Sequence, residues 1–327
     1  MPHYGFNLQW LFMRPAGPAE PDLHVLDTIA GWGFNFVRLP CDYRFFTTAP
    51  DYPRATEEAL DRVDRCLMAC RERGLHLSLN LHRAPGYVIT GWDSEPHNLW
   101  VDGPAQDAFA ALWRTFAARY RGLPPNALSF DLVNEPPALG LRGFTREAHE
   151  AVIRRTVAEI RRADPSRPIA IDGLDGGHLA MPELADLRVI HSGRGYQPMS
   201  VSHYRASWWP EHEHLPEPEY PVDYDGRRWD AVALREFYQP WRDLAGAGVP
   251  VHIGEFGCYD YTPDDVAQRW FTDLLGIFAQ ERWGYALWEF AGAFGVVGHR
   301  RPGARFESRD GWMVDVRLLE LLRAHRV

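Results

Sequence analysis

FNFVRLP at 34–40, TEEALDRVDRCLMACRERG at 56–74 and LHLSLNLH at 75–82 decide how this chain folds. The first is a short apolar run bounded by turns and reads as a strand. The second repeats its apolar residues at helical spacing and closes on Gly74, a C-cap signal. Cys66 and Cys70, four apart within it, share one helix face. The third alternates and reads as a strand again. Strand, helix and strand in that order make a parallel pair joined by a helical crossover.

The same rhythm extends outward in both directions. GFNLQW (5–10) precedes this unit as a strand. Strands follow at LSFDLVNE (128–135), PIAIDG (168–173), MSVSHY (199–204), VPVHIGEF (249–256) and GYALWEF (284–290). Helical patterns cover 104–122, 145–164, 230–248, 262–281 and 315–325. Eight strands in 327 residues, most separated by helices, predict a closed (β/α)8 barrel forming a single domain over 1–327. A doubly wound sheet is the competing α/β architecture. It normally carries a glycine-rich phosphate loop after the first strand, and neither G-x-G-x-x-G nor a Walker A motif stands there. RAPGYVITGWDSEPHNLWVDG (83–103) and RASWWPEHEHLPEPEYPVDYDGRRW (205–229) fit neither strand nor helix. Both follow strand ends, so they are expected as long aromatic loops on the face where barrel sites form.

Composition narrows the partners. The net charge is −9 and the cationic residues are scattered, which leaves no basic face for nucleic acid or an anionic membrane. No run of 18 apolar residues is present, so no membrane span is expected. MPHYGFNLQWLF lacks the basic, apolar and small-residue zones of a signal peptide, which predicts a cytoplasmic location. The four cysteines form neither a disulfide framework nor a C-x-x-C metal pattern and read as core thiols. Glu211-His212-Glu213-His214 offers two histidines only at i, i+2, and reads as a solvated acidic stretch rather than a metal site. No cofactor and no metal are therefore expected. The 13 tryptophans divide between core and sugar-stacking roles. Trp113, Phe116 and Tyr120 stand at helical spacing and are predicted core. Trp92, Trp100, Trp208, Trp209 and Trp229, with Trp10 and Tyr43, are the candidate sugar platforms. His97 and His191 read as ordinary surface or loop residues.

Polar residues recur at the C-terminal ends of the predicted strands: Arg38, then His82 and Arg83, Asn134 and Glu135, His203 and Tyr204, Glu255, and Trp288 and Glu289. A barrel gathers these ends into one ring. Two carboxylates in such a ring are what glycoside hydrolysis needs, one protonated to donate to the leaving oxygen and one ionised to attack the anomeric carbon. Strands four and seven lie three places apart around eight, so Glu135 and Glu255 are expected to face each other at roughly 5 Å in a retaining enzyme. Their opposed protonation states predict a bell-shaped pH profile on the acid side of neutral. Arg38 is the expected partner of Glu255. Asn134 is expected to hold a sugar 2-hydroxyl, His82 and His203 to support sugar or acid/base network, and Trp288 to floor the subsite.

LVNEPP (132–137) resembles the acid/base strand end of glycoside hydrolase family 5, and HIGEFG (252–257) its nucleophile strand. VRLP (37–40), NLHRAPG (80–86) and ALWEF (286–290) resemble its strand-two Arg, strand-three His and strand-eight Trp. The resemblance runs from GFN at 5–7 to the last helix. It implies retaining hydrolysis of β-linked glucans, mannans or related oligo- and polysaccharides, without metal, with Glu135 as acid/base and Glu255 as nucleophile. One place departs from it. The family has His-x-Tyr at strand six, with the Tyr near the nucleophile, whereas His203 and Tyr204 are adjacent here. Other readings are a barrel that binds carbohydrate without cleaving it, an exo-acting β-glycosidase on short glycosides, and a metal-dependent isomerase or hydrolase barrel. The last would need His and Asp clustered at several strand ends.

Overall fold

The computed structural model describes residues 2–12, 18–209 and 213–327. Eight strands run parallel: β1 Tyr4–Asn7, β2 Phe36–Asp42, β3 His76–Ala84, β4 Leu128–Asp131, β5 Ile169–Asp172, β6 Ile190–Gly195, β7 Val251–Phe256 and β8 Gly284–Leu287. Their hydrogen-bonded order is β2-β1-β8-β7-β6-β5-β4-β3, and β3 also pairs with β2, which closes the ring. The longer helices are α1 Leu23–Gly31, α2 Glu57–Glu72, α3 Gly103–Arg119, α4 Arg146–Ala163, α5 Ala231–Phe237, α6 Gln239–Gly246, α7 Asp264–Glu281 and α8 Val316–Ala324. The fold is a (β/α)8 barrel. No helix among the described residues is long and apolar enough to cross a membrane.

The chain packs as two compact units. One comprises Leu8–Gly193 with Gly248–Pro250. Its strands β2, β3 and β4 are buried almost throughout, as parallel strands covered on both faces are. Their register pairs Arg38 with Ser78, Ser78 with Ser129 and Asn80 with Asp131, so polar residues align on one face. The alternate face carries Val37, Leu39, Leu77, Leu79, Leu128 and Phe130, all fully buried. Helix α3 covers part of it: Trp113 lies 5.1 Å from the Phe130 ring and donates its indole N–H to the Leu132 carbonyl at 3.1 Å. Helix α2 begins where the Thr56 hydroxyl accepts the Ala59 N–H and buries Leu60, Val63, Leu67 and Cys70 on one stripe. Its outer face meets Arg119, which pairs with Glu57, Asp61 and Asp64. Surface cations elsewhere are also arginines, for the sequence contains no lysine.

The other unit comprises the N-terminal residues to Asn7, Arg194–Ala247 and Val251–Val327. Strand β8 pairs with both β1 and β7. An aromatic cluster of Phe256, Phe271, Phe278 and Tyr285 fills the space beneath α7. The expected single helix over 230–248 is broken into α5 and α6, because Pro240 in the first turn of α6 has no N–H to continue α5.

The sixth strand differs from expectation. It is Ile190–Gly195, and Met199–Ser202 is instead one helical turn closed onto the Pro198 carbonyl by the Val201 and Ser202 N–H groups. IHSGRG holds two glycines and one β-branched residue, so propensity hides it. Gly195 is required by contact: a Cβ there would stand 2.6 Å from the Phe256 Cβ. His191 is likewise corrected. It lies on β6 and is fully buried, not on the surface or in a loop.

Candidate active site

Two strands carry an extra residue close to their C-terminal ends. In β3, Cys41 and Asp42 of β2 pair with Leu81 and Arg83, leaving His82 as the inserted residue. In β7, Ile253 and Phe256 pair with Tyr285 and Leu287, so Gly254-Glu255 spans one residue more than its partner. Such bulges re-aim side chains and free ladder groups. Asn7 answers the second: its amide donates to the Gly254 carbonyl at 3.1 Å and the Leu287 carbonyl at 3.3 Å.

In the Leu8–Gly193 unit, the buried Arg38 organises the strand ends. Its Nε donates to Asp131 at 2.6 Å and an Nη donates to the Asn134 Oδ1 at 2.9 Å, with Asp172 at 3.6 Å. Three acidic or amide groups thus converge on one guanidinium, whose fork suits bidentate partners. Glu135 follows with φ 45°, a left-handed conformation uncommon for a side chain of this size. Its backbone is held on both sides. The N–H donates to Asp172 at 3.0 Å, and the carbonyl accepts from the Tyr87 hydroxyl at 2.5 Å. Burial, then the charges of Glu135 and Asp172, push the Tyr87 hydroxyl far up, so it stays a donor. A strained residue fixed this firmly is the kind found at functional sites. Glu135 is half-buried. His82 is buried, edge-on to Phe12 at 4.5 Å, and Arg83 pairs with Asp42.

In the other unit, Glu255 is 3% exposed. The Tyr196 hydroxyl donates to its Oε2 at 3.1 Å, and an Arg194 Nη lies 3.4 Å from its Oε1. Arg194 stands at the end of β6 and Tyr196 directly follows that strand, so Arg-x-Tyr occupies the position where the resemblance expects His-x-Tyr. Sequence reasoning missed both because it misplaced the strand; the run GRGYQP held the signal. His203 sits one layer out, edge-on to the Tyr196 ring at 5.0 Å, its Nδ1 2.8 Å from the Ser202 hydroxyl. Tyr204 lies beneath the Arg205 guanidinium at 5.1 Å. Neither ends a strand. Trp288, half-buried, packs with Trp209, Tyr224 and Tyr259 against Tyr196, Met199 and Phe294.

The platform candidates separate by exposure. Trp100 and Tyr43 are core, and Trp229 is buried beneath Arg227. Trp208 is 51% exposed, and Trp10, Trp92 and Trp209 are partly so. Trp113, Phe116 and Tyr120 are buried, and all four cysteines are buried and free. Glu211 and His212 lie outside the described residues. Among the described residues, no three His, Cys, Asp or Glu side chains group as metal ligands.

The family model described as Cellulase (glycosyl hydrolase family 5) matches residues 3–293. This chain belongs to glycosyl hydrolase family 5. The family 5 chain is 25% identical over 258 residues to cellodextrinase A of Ruminococcus flavefaciens, covering 77% of this chain and 73% of that one. It is 25% identical over 290 residues to endoglucanase C of Acetivibrio thermocellus, covering 81% and 82%. Among solved structures, a glycoside hydrolase 53% identical to it superposes with TM-score 0.98 over 100% of both chains. Thermotoga maritima Cel5A, with mannotriose, shares the fold at TM-score 0.78 and 22% identity over 98% and 97%. The family 5 chain is accordingly a glycosidase.

Proposed function

We propose that this glycosidase is a retaining β-glycoside hydrolase acting on β-linked glucans and their oligosaccharides, with the barrel over 1–327 as its single catalytic domain. The observation that carries the reading is the setting of Glu255: a buried carboxylate on a strand bulge, with Tyr196 and Arg194 on its two oxygens. A nucleophile must be held against rotation with one oxygen aimed at the sugar, and a contact on each oxygen supports that. Glu135 takes the acid/base role, half-exposed on a pinned backbone. In the first step a Glu255 oxygen bonds to the anomeric carbon while Glu135 protonates the departing oxygen. In the second, Glu135 takes a proton from water, whose oxygen displaces Glu255. Both steps invert, so the configuration is retained overall. Asn134, oriented by Arg38, is proposed to hold the 2-hydroxyl. His82, His203, Tyr204 and Trp288 are proposed to line the sugar subsites.

The named activities of the curated relatives, a cellodextrinase and an endoglucanase, support β-1,4-linked glucose oligomers as the first substrates to try, with mannan as an alternative. Four buried, free cysteines fit a reducing compartment and support the cytoplasmic reading.

The test is hydrolysis of aryl β-glycosides and β-linked oligosaccharides by wild type and Glu255→Ala, with and without azide. Cleavage by wild type, its loss in the variant and rescue as an α-glycosyl azide establish mechanism and nucleophile together. Binding without cleavage of every substrate would favour the carbohydrate-binding reading instead.

A further inference from the structure

We infer that Arg194 is a fixed charge that drives the second half of the reaction, drawing Glu255 away from the glycosyl-enzyme as a leaving carboxylate. The inference rests on the assignment of Glu255 as nucleophile.

The two oxygens of Glu255 are not equivalent. Oε2 accepts from the neutral Tyr196 hydroxyl at 3.1 Å, and Oε1 lies 3.4 Å from a guanidinium nitrogen. That guanidinium is fully buried, so salt and water screen it little. It is also fixed in position. The Arg194 carbonyl accepts from the buried Tyr238 hydroxyl at 2.8 Å, and the glycine beside it lets β6 approach Phe256 more closely than any Cβ would allow. Arginine keeps its charge at every pH the enzyme meets.

Such a charge acts unequally on the two steps. It stabilises Glu255 as a free carboxylate and as a departing carboxylate, and it does little for the ester between them. When the ester forms, an electron pair leaves Glu255 for the anomeric carbon and the attraction to Arg194 is given up. When the ester breaks, the C1–O bond pair returns to Glu255 as water's oxygen bonds to C1 and its proton passes to Glu135. Arg194 therefore slows the first step and speeds the second. It acts through Glu255 and is a positioning residue. A neutral side chain here would leave the enzyme stalled as its ester.

The experiment compares wild type, R194M and R194K on an aryl β-cellobioside with a good leaving group, by stopped-flow and steady state, with melting curves to verify folding. Wild type is first incubated with a 2-deoxy-2-fluoro cellobioside and mapped by mass spectrometry. Absence of an adduct on Glu255 would remove the nucleophile assignment and this inference with it. With the adduct in place, R194M is expected to lower kcat by about 100-fold. KM should fall by a larger factor, so that kcat/KM rises as the first step is released, and a burst of phenol approaching one per enzyme should appear. R194K, which keeps a charge, should recover most of kcat and lose the burst. If R194M does not fold, the comparison moves to reactivation of the fluoro-sugar adduct, expected to be slower in folded R194Q than in R194K. Equal loss of kcat and kcat/KM in the Met and Lys variants without a burst, or equal reactivation in R194Q and R194K, would overturn it.

Discussion

At the scale of single residues, Glu135 and Arg38 make separable demands. In its proposed acid/base role, Glu135 donates its proton only to leaving groups that need one. Glu135→Gln should cut turnover of cellobiosides with poor leaving groups by about 10²–10⁴-fold, yet spare the first step for dinitrophenyl glycosides. Rates plotted against leaving-group acidity would reveal this, and a uniform loss across the series would exclude the role. Arg38 is a different case, since its removal leaves Asp131 and Asp172 buried without their cation. Arg38→Met is expected to cost about 3–5 kcal/mol of stability in denaturant unfolding. A smaller loss would mean that these carboxyls find other compensation. The strands that carry or lead to Arg38, Glu135 and Glu255 were legible in sequence because each is an unmistakable apolar run, and that is what makes these residues candidates. Tyr87, Asp131 and Asp172 were not, since a residue that supports another through the backbone leaves no spacing of its own.

At the scale of elements, the sixth strand shows what sequence patterning misses. Its residues are chosen for close approach and for charge at its end, so they lack the branched side chains that advertise a strand. MSVSHY, by contrast, alternates convincingly yet makes one turn after Pro198, because burial there is complete on all sides rather than on alternate ones. The close approach can be tested. Gly195→Ala sets a methyl carbon 2.6 Å from Phe256 and should destabilise the protein by about 1–3 kcal/mol, with a fall in kcat as β6 shifts. Wild-type melting and turnover in this variant would show that β6 has slack. The β7 bulge offers a parallel case. Asn7→Ala removes both donors to the carbonyls around it and should lower kcat more than KM is changed. Sequence reading counted the eight strands and their order but not these irregularities, which depend on partners far away in the chain.

For the molecule as a whole, buried histidines set the acid limit. Burial, with the charges of Arg146 and His191 adding, holds His149 down to about 3, and burial holds His191 to about 4. Both are neutral in the fold and take up protons on unfolding below the ordinary histidine value of 6.5. The unfolded chain then binds more protons, so stability is constant above that value and declines as pH falls toward 4. Each histidine contributes about 1.4 kcal/mol per pH unit within that window. Urea midpoints between pH 7 and 4 should record the decline, and His149→Phe should make it shallower throughout the range below 6.5. A slope unchanged by that substitution would assign the acid lability elsewhere. The closed barrel itself was readable from the alternation of strands and helices, because that rhythm is a property of the entire chain and survives an error in one strand.

The arginine-only surface has a chemical consequence for an enzyme that works among sugars. Each glycosidic bond it cuts exposes a reducing end, and the aldehyde form of that end condenses with ε-amines to Schiff bases. Guanidinium groups stay protonated and do not enter this reaction under the same conditions. With no lysine anywhere in the sequence, the protein offers its own products no side-chain amine to glycate.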